Sequence, residues 1–175
     1  MSIRDVIIAM NQMEADGVVD RYAIGGAVGA AFYLEPVATL DVDVFVALEA
    51  SPQNPLISLK PIFDYLVSRG GVIEKEYLVI AGFPVQILPL TSTVAEEAIS
   101  QAVEAEVEGT MARVFTAEHL AAIALELGRA KDKSRLVQFL EEDALDMQRF
   151  ESIIQRHGLA LKWAKFRAQF LGNHV

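Results

Sequence analysis

The chain has 175 residues, 53% of them hydrophobic and 22% charged, which is ample for a packed core in one domain or one domain with a small helical appendage. It contains no cysteine, which excludes a disulfide scaffold, a zinc–thiolate site and a thiol nucleophile, and fits a reducing, cytoplasmic setting. Its net charge of −9 argues against a broad DNA-binding surface, because phosphate contacts need clustered Lys and Arg.

Residues 2–17 are predicted to form an amphipathic helix, with Val6, Ile7, Met10 and Met13 at helical spacing and Gly17 as its stop. Arg4, Asp5, Glu14 and Asp16 make this stretch unlike a secretory signal. No apolar run approaches the roughly 18 residues of a membrane span. Residues 21–24 read as a short strand leading into Gly25-Gly26, and residues 27–34, rich in small side chains, as a tightly packed helix broken by Glu35-Pro36. Residues 40–48 alternate apolar positions with Asp41, Asp43, Phe45 and Ala47, the period of a strand with two unlike faces. A loop over 51–55 and a helix over 61–70 follow, the helix stopped by Gly70-Gly71. Strands are predicted at 77–81 and 85–88, joined by a hairpin through Gly82-Phe83-Pro84. Residues 94–102 read as a helix, and 103–115 as one or two short strands interrupted by Gly109.

From Thr116 onward the period is helical, with an N-cap at Thr116 and breaks at Gly128, at 141–143 and at Gly158. The expected fold class is α/β (α+β): a small mixed sheet with flanking helices over residues 1–115, then a helical region over 116–175. No Pro/Ser-rich linker separates the two, so the helices are expected to pack directly on the sheet.

Gly25-Gly26 closes a strand and opens a helix, which lets backbone N–H groups approach an anion with no side chain in the way. Asp41 and Asp43, at i and i+2 on one strand, emerge on the same face about 6–7 Å apart at Cα. Such a pair converges on one divalent cation or brackets two, and Mg²⁺ (or Mn²⁺) is the hard ion that carboxylates and phosphates share. Lys131 and Asp132, with Arg129, Lys133 and Arg135, are the local basic candidate; Lys131 is a candidate phosphate ligand, with Asp132 orienting it or capping a helix. His119, His157 and His174 lack ligand spacing and read as surface or cap residues. Trp163, Phe166 and Phe170 read as packing of the last helix.

The string from Ile24-Gly25-Gly26-Ala27 through Thr39-Leu40-Asp41-Val42-Asp43-Val44 resembles the polymerase-beta-like nucleotidyltransferases, whose motif is hydrophobic-Gly-Gly/Ser, a helix, then Asp-x-Asp. Within them the chain looks most like the bacterial abortive-infection, toxin–antitoxin nucleotidyltransferases. Gly82-Phe83-Pro84, Leu90-Thr91-Ser92 and Glu96-Glu97-Ala98 resemble that group's third motif region, and the segment ending Gly128-Arg129-Ala130-Lys131-Asp132 its Lys-Asp helix. The resemblance implies a mixed sheet, magnesium, and transfer of a nucleoside monophosphate from a nucleoside triphosphate to a hydroxyl on RNA, protein or a small molecule. It assigns metal binding and catalysis to Asp41 and Asp43, and nucleotide binding to Gly25, Gly26, Thr39, Lys131 and Asp132. Two departures stand out: the usual loop arginine is replaced by Val37-Ala38, and alignment on Thr91-Ser92 puts Leu88 where a third carboxylate belongs. Gln86 is the nearest polar residue there, and Glu74 or Glu76 are the substitutes in reach along the chain. Two readings follow, an active transferase and a member that binds a nucleotide or partner without turnover; the acceptor, the nucleotide and any homo-oligomer stay open.

Overall fold

The computed structural model describes residues 2–39, 41–48 and 58–172. Seven strands form one mixed sheet: β1 (Arg21–Ile24), β2 (Val42–Ala47), β3 (Val72–Glu74), β4 (Tyr77–Ile80), β5 (Phe83–Pro89), β6 (Val103–Val107) and β7 (Thr110–Val114), in the spatial order β3-β4-β5-β2-β1-β7-β6. The helices are α1 (Ile3–Ala15), α2 (Gly26–Ala30), α3 (Lys60–Ser68), α4 (Thr93–Ser100), α5 (Ala117–Leu127), α6 (Ala130–Glu141), α7 (Met147–Arg156) and α8 (Ala160–Phe166), the last continuing as a π-helical turn over Arg167–Leu171. The α/β class expected from the sequence is the one observed. Among the described residues no helix is long and apolar enough to cross a membrane.

The alternation read in residues 40–48 divides the molecule. Val42, Val44 and Val46 point to one face of the sheet, where Val6, Ile7, Met10 and Met13 of α1 and Ile62 and Leu66 of α3 bury them. Phe45 and Ala47 point to the other face, packed against a second cluster in which Ala23, Val94, Ala98 and Phe115 meet Leu120, Phe139, Phe150 and Trp163. Helices α4 to α8 therefore cover the face that also carries Asp43.

Local chemistry explains the turns. The β4–β5 hairpin turns on Ala81 and Gly82 (φ 49° and 85°) and the β6–β7 hairpin on Glu108 and Gly109 (φ 49° and 76°), pairs of left-handed residues that match the twist of tight hairpins. Phe83 and Pro84, expected in the turn, instead begin β5, ahead of Val85, where β5 first pairs with β2. The helix expected over 27–34 ends at Ala30 and tapers through turns whose N–H groups at Tyr33 and Leu34 bond the Ala30 carbonyl. Strand β3 was not legible, because Val72, Ile73 and Glu74 are all exposed at the sheet edge and show no alternation. The expected loop over 51–55 lies outside the described residues.

The histidines, read as surface or cap residues, take the cap alternative at His157, the C-cap of α7, while His119 departs from the surface reading. His119 is fully buried, its Nδ1 2.8 Å from the Thr116 hydroxyl and its Nε2 3.2 Å from Glu97 Oε1. His157 brings Nε2 to 2.5 Å from Glu97 Oε2 and Nδ1 to 2.9 Å from the Thr93 hydroxyl, and Arg156 pairs with the same carboxylate. One carboxylate thus joins α4, α5 and the end of α7, segments that no spacing rule links. His174 lies outside the described residues. The Arg156 guanidinium and the two imidazoles hold the Glu97 carboxyl down to about 2. A carboxyl lowered on folding adds stability above its ordinary range and loses it as the pH falls toward that value. Glu97→Gln is therefore expected to lower the melting temperature at pH 7 by roughly 2–8 °C. The deficit should shrink as the pH falls from about 4.5 toward 2, and thermal unfolding across that range checks both expectations.

Candidate active site

Strand β1 ends at Ile24, and the Gly25 N–H then donates to the Asp43 carbonyl at 2.9 Å, which locks the Gly-Gly turn beside β2. A Cβ on Gly25 would lie 2.6 Å from the Phe45 ring, and one on Gly26 only 1.9 Å from Asp43 Oδ2. Gly26 also sits at φ +58°, so both space and backbone demand glycine there. The two glycines are thus a seat for the Asp43 carboxylate as well as the opening of α2.

Asp41 immediately precedes β2, and the Thr39 hydroxyl donates to its carbonyl at 3.2 Å and its carboxylate at 3.3 Å. Across from the pair stands the first half of α6. Gly128, left-handed at φ 63°, ends α5, and Arg129 at once caps α6. The Arg129 N–H and Nε donate to Asp132 Oδ2 at 3.2 and 2.6 Å, so the buried Asp132 carboxylate reaches back to cap the first residue of the helix start. This is the capping alternative for Asp132; its carboxylate is engaged by Arg129. Lys131 and Arg135 project from the same turns toward the strand.

Asp43 lies between two adjoining cavities. One, of about 240 Å³, is lined by Gly26, Asp43, Gln86, Ser92, Lys131 and Arg135 among others. The second, of about 300 Å³, is lined by Thr39, Asp41, Asp43, Lys131 and Arg135. The structure therefore brings Gly26, Thr39, Asp41, Asp43, Lys131 and Asp132 around the two cavities, with Gly25 just behind them. Burial, and secondly the Asp41 charge, push the Asp43 carboxyl up, while Lys131, Arg135 and Arg129 pull it back down. The Asp41 charge raises the Tyr77 phenol beside it.

The parallel β2–β5 register pairs Asp43 with Gln86 and Phe45 with Leu88. Gln86, not Leu88, is the strand neighbour of Asp43, and Leu88 stands one step further along the same face. Gln86 and Leu88 share a face two residues apart, and both line the cavity of about 240 Å³ with Asp43. Glu74 is exposed on the edge strand β3, and Glu76 follows in the β3–β4 turn; neither lines the two cavities. Among the described residues no third acidic or histidine side chain joins Asp41 and Asp43 as a metal cluster. The donors still fit one hard divalent cation, since magnesium is commonly held by one or two carboxylates with phosphates and water completing the shell. Ser92 of the third motif region lines the cavity, while Tyr77 beside Asp41 and Glu126 in the cavity were not singled out by sequence reasoning, because their places depend on pairing and helix packing alone.

The seven-stranded mixed sheet with its flanking helices matches a nucleotidyltransferase-like fold. Two solved structures share it: the antibiotic-resistance factor ANT(2'')-Ia, with 15% identity over 94% of each chain and a TM-score of 0.54, and an antigenic nucleotidyltransferase-like protein from Paracoccidioides brasiliensis, with 14% identity over 81% of this chain and 75% of that one and a TM-score of 0.54. No family model and no curated protein matches the sequence.

The glycine seat makes a direct prediction. Gly26→Ala should cost more than the roughly 1–2 kcal/mol of left-handed strain alone, because the new methyl also displaces Asp43. Gly109→Ala, at φ +76° with nothing within 4 Å of its added carbon, should cost only the strain. Thermal unfolding of the two variants side by side measures the difference.

Proposed function

We propose that the protein is a magnesium-dependent nucleotidyltransferase that moves a nucleoside monophosphate from a nucleoside triphosphate to a hydroxyl acceptor. The observation that carries this reading is the meeting of Asp41 and Asp43 with Lys131 and Arg135 around one cavity, on this fold. Asp41 and Asp43 would hold the cation, which when bound supplies a Lewis acid for the phosphate oxygens. The Gly25-Gly26 turn receives the triphosphate along its backbone, and Lys131 and Arg135 neutralise its charge from α6. Thr39 orients Asp41 through its two hydrogen bonds. In the transfer, the acceptor oxygen forms a bond to the α-phosphorus while the bond to the bridging oxygen breaks in line. The electron pair leaves on pyrophosphate and the hydroxyl proton passes to water.

A second reading, nucleotide or partner binding without turnover in a toxin–antitoxin-related module, draws on Gln86. An amide beside Asp43 orients a group but takes no proton, and missing general-base help costs on the order of 10²–10⁴-fold in rate. Incubation with each α-labelled nucleoside triphosphate, magnesium, and total cellular RNA and protein separates the two: label in an acceptor fraction supports transfer, and bound but untransferred nucleotide supports the binding module.

The metal assignment predicts that Mg²⁺ or Mn²⁺ raises the melting temperature by several degrees at saturation. Asp41→Asn combined with Asp43→Asn should abolish that rise. Gln86→Glu should tighten Mn²⁺ binding on the order of tenfold by adding a third carboxylate. Calorimetric titration with Mn²⁺ reads both without any turnover.

A further inference from the structure

Charge is strongly segregated in this chain. Residues 129–140 and 159–172 hold seven Lys and Arg against the single carboxylate of Asp132, a balance of +6 in a chain of −9, so the remainder stands at −15. The two stretches belong to α6 and to α8 with its π-helical turn, both of which pack on α5. Between them lies an open groove of about 300 Å³, with Lys133, Lys162, Lys165 and Phe166 in its walls. Ala124, Glu126 and Leu127 line both this groove and the Asp43 cavity, so the two depressions meet across the end of α5.

Among the described residues none of the three lysines forms an ion pair. Lys162 donates to the Glu126 carbonyl, which pins its ammonium at the junction of groove and cavity. Beside the lysines Phe170 is 41% exposed, its ring centroid 4.8 Å from that of Phe166 and the Lys133 ammonium 5.9 Å from its own centre. Lysines along a groove with an exposed aromatic ring are what a single strand of nucleic acid uses, its phosphates on the cations and a base on the ring. An acidic peptide would use the lysines and leave the ring idle.

We propose that this groove binds single-stranded RNA and presents its end to the Asp41–Asp43 cavity, which makes RNA the acceptor; the assignment rests on the transferase reading. The footprint is small, a few nucleotides, in keeping with a chain too acidic for a broad nucleic-acid surface. Three phosphates on three lysines give a salt slope of about −2, so a fourfold rise in salt weakens binding about 10–20-fold.

The test is fluorescence anisotropy with a labelled single-stranded RNA of about 10 nucleotides, at low and fourfold higher salt, with nucleoside triphosphate binding measured separately by calorimetry. The unmodified protein should show that salt dependence. Lys162→Gln with Lys165→Gln should weaken RNA binding at least about tenfold, and Phe170→Ala at least about fivefold. All three residues are exposed, so melting temperatures should be unchanged. Triphosphate binding should be unaffected in these variants. RNA affinity unchanged in the double lysine variant overturns the proposal. So does a polyglutamate peptide of the same length that binds as tightly as RNA and is indifferent to Phe170→Ala, which would identify an acidic protein partner. Absence of triphosphate binding by the unmodified protein, with RNA binding intact, would instead count against the transferase reading and the acceptor role that depends on it.

Discussion

A carboxylate inside a protein needs either water or a positive neighbour, and Asp43 has lost part of its water. It sits between Val42 and Val44, two of the most deeply buried residues of the sheet, and its oxygen lies where a side chain on residue 26 would have been. That position raises its proton affinity, and the Asp41 charge raises it further. Lys131, Arg135 and Arg129 oppose the shift from across the cavity. The site is a place where negative charge has been concentrated and positive charge brought to face it.

Holding those cations in place is the task of the α5–α6 corner. Gly128 ends one helix in a left-handed turn, and the next residue begins the other, so α6 changes direction with no intervening loop. The buried Asp132 ties down the Arg129 backbone and guanidinium, and that fixes the first turn from which Lys131 and Arg135 project. Asp132, which the resemblance places among the nucleotide ligands, also braces the turn that carries Lys131.

How much of this was legible in the sequence varies with the distance over which residues cooperate. The helix of Val6, Ile7, Met10 and Met13, the two-faced strand around Asp43 and the glycine turn are local patterns, and each appears where the sequence places it. The identity of Asp43's neighbour was not legible, because residues 86 and 88 share a face and only the ladder to β2 distinguishes them. Nor was the Glu97 cluster, whose members come from α4, α5 and the end of α7 and meet only when the helices pack. Edge strand β3 escaped for the opposite reason: with every side chain exposed it carries no period.

The separation of charge has a consequence for motion in solution. A body with +6 gathered on two neighbouring helices and −15 spread over the rest behaves as an electric dipole with a net negative tail. A polyanion arriving from a random direction is repelled by most of the surface and exerts a torque on the molecule, turning the basic face toward itself before contact. Encounter is therefore oriented as well as selective, and at low ionic strength the rate at which molecules meet productively exceeds what the small area of that face would suggest.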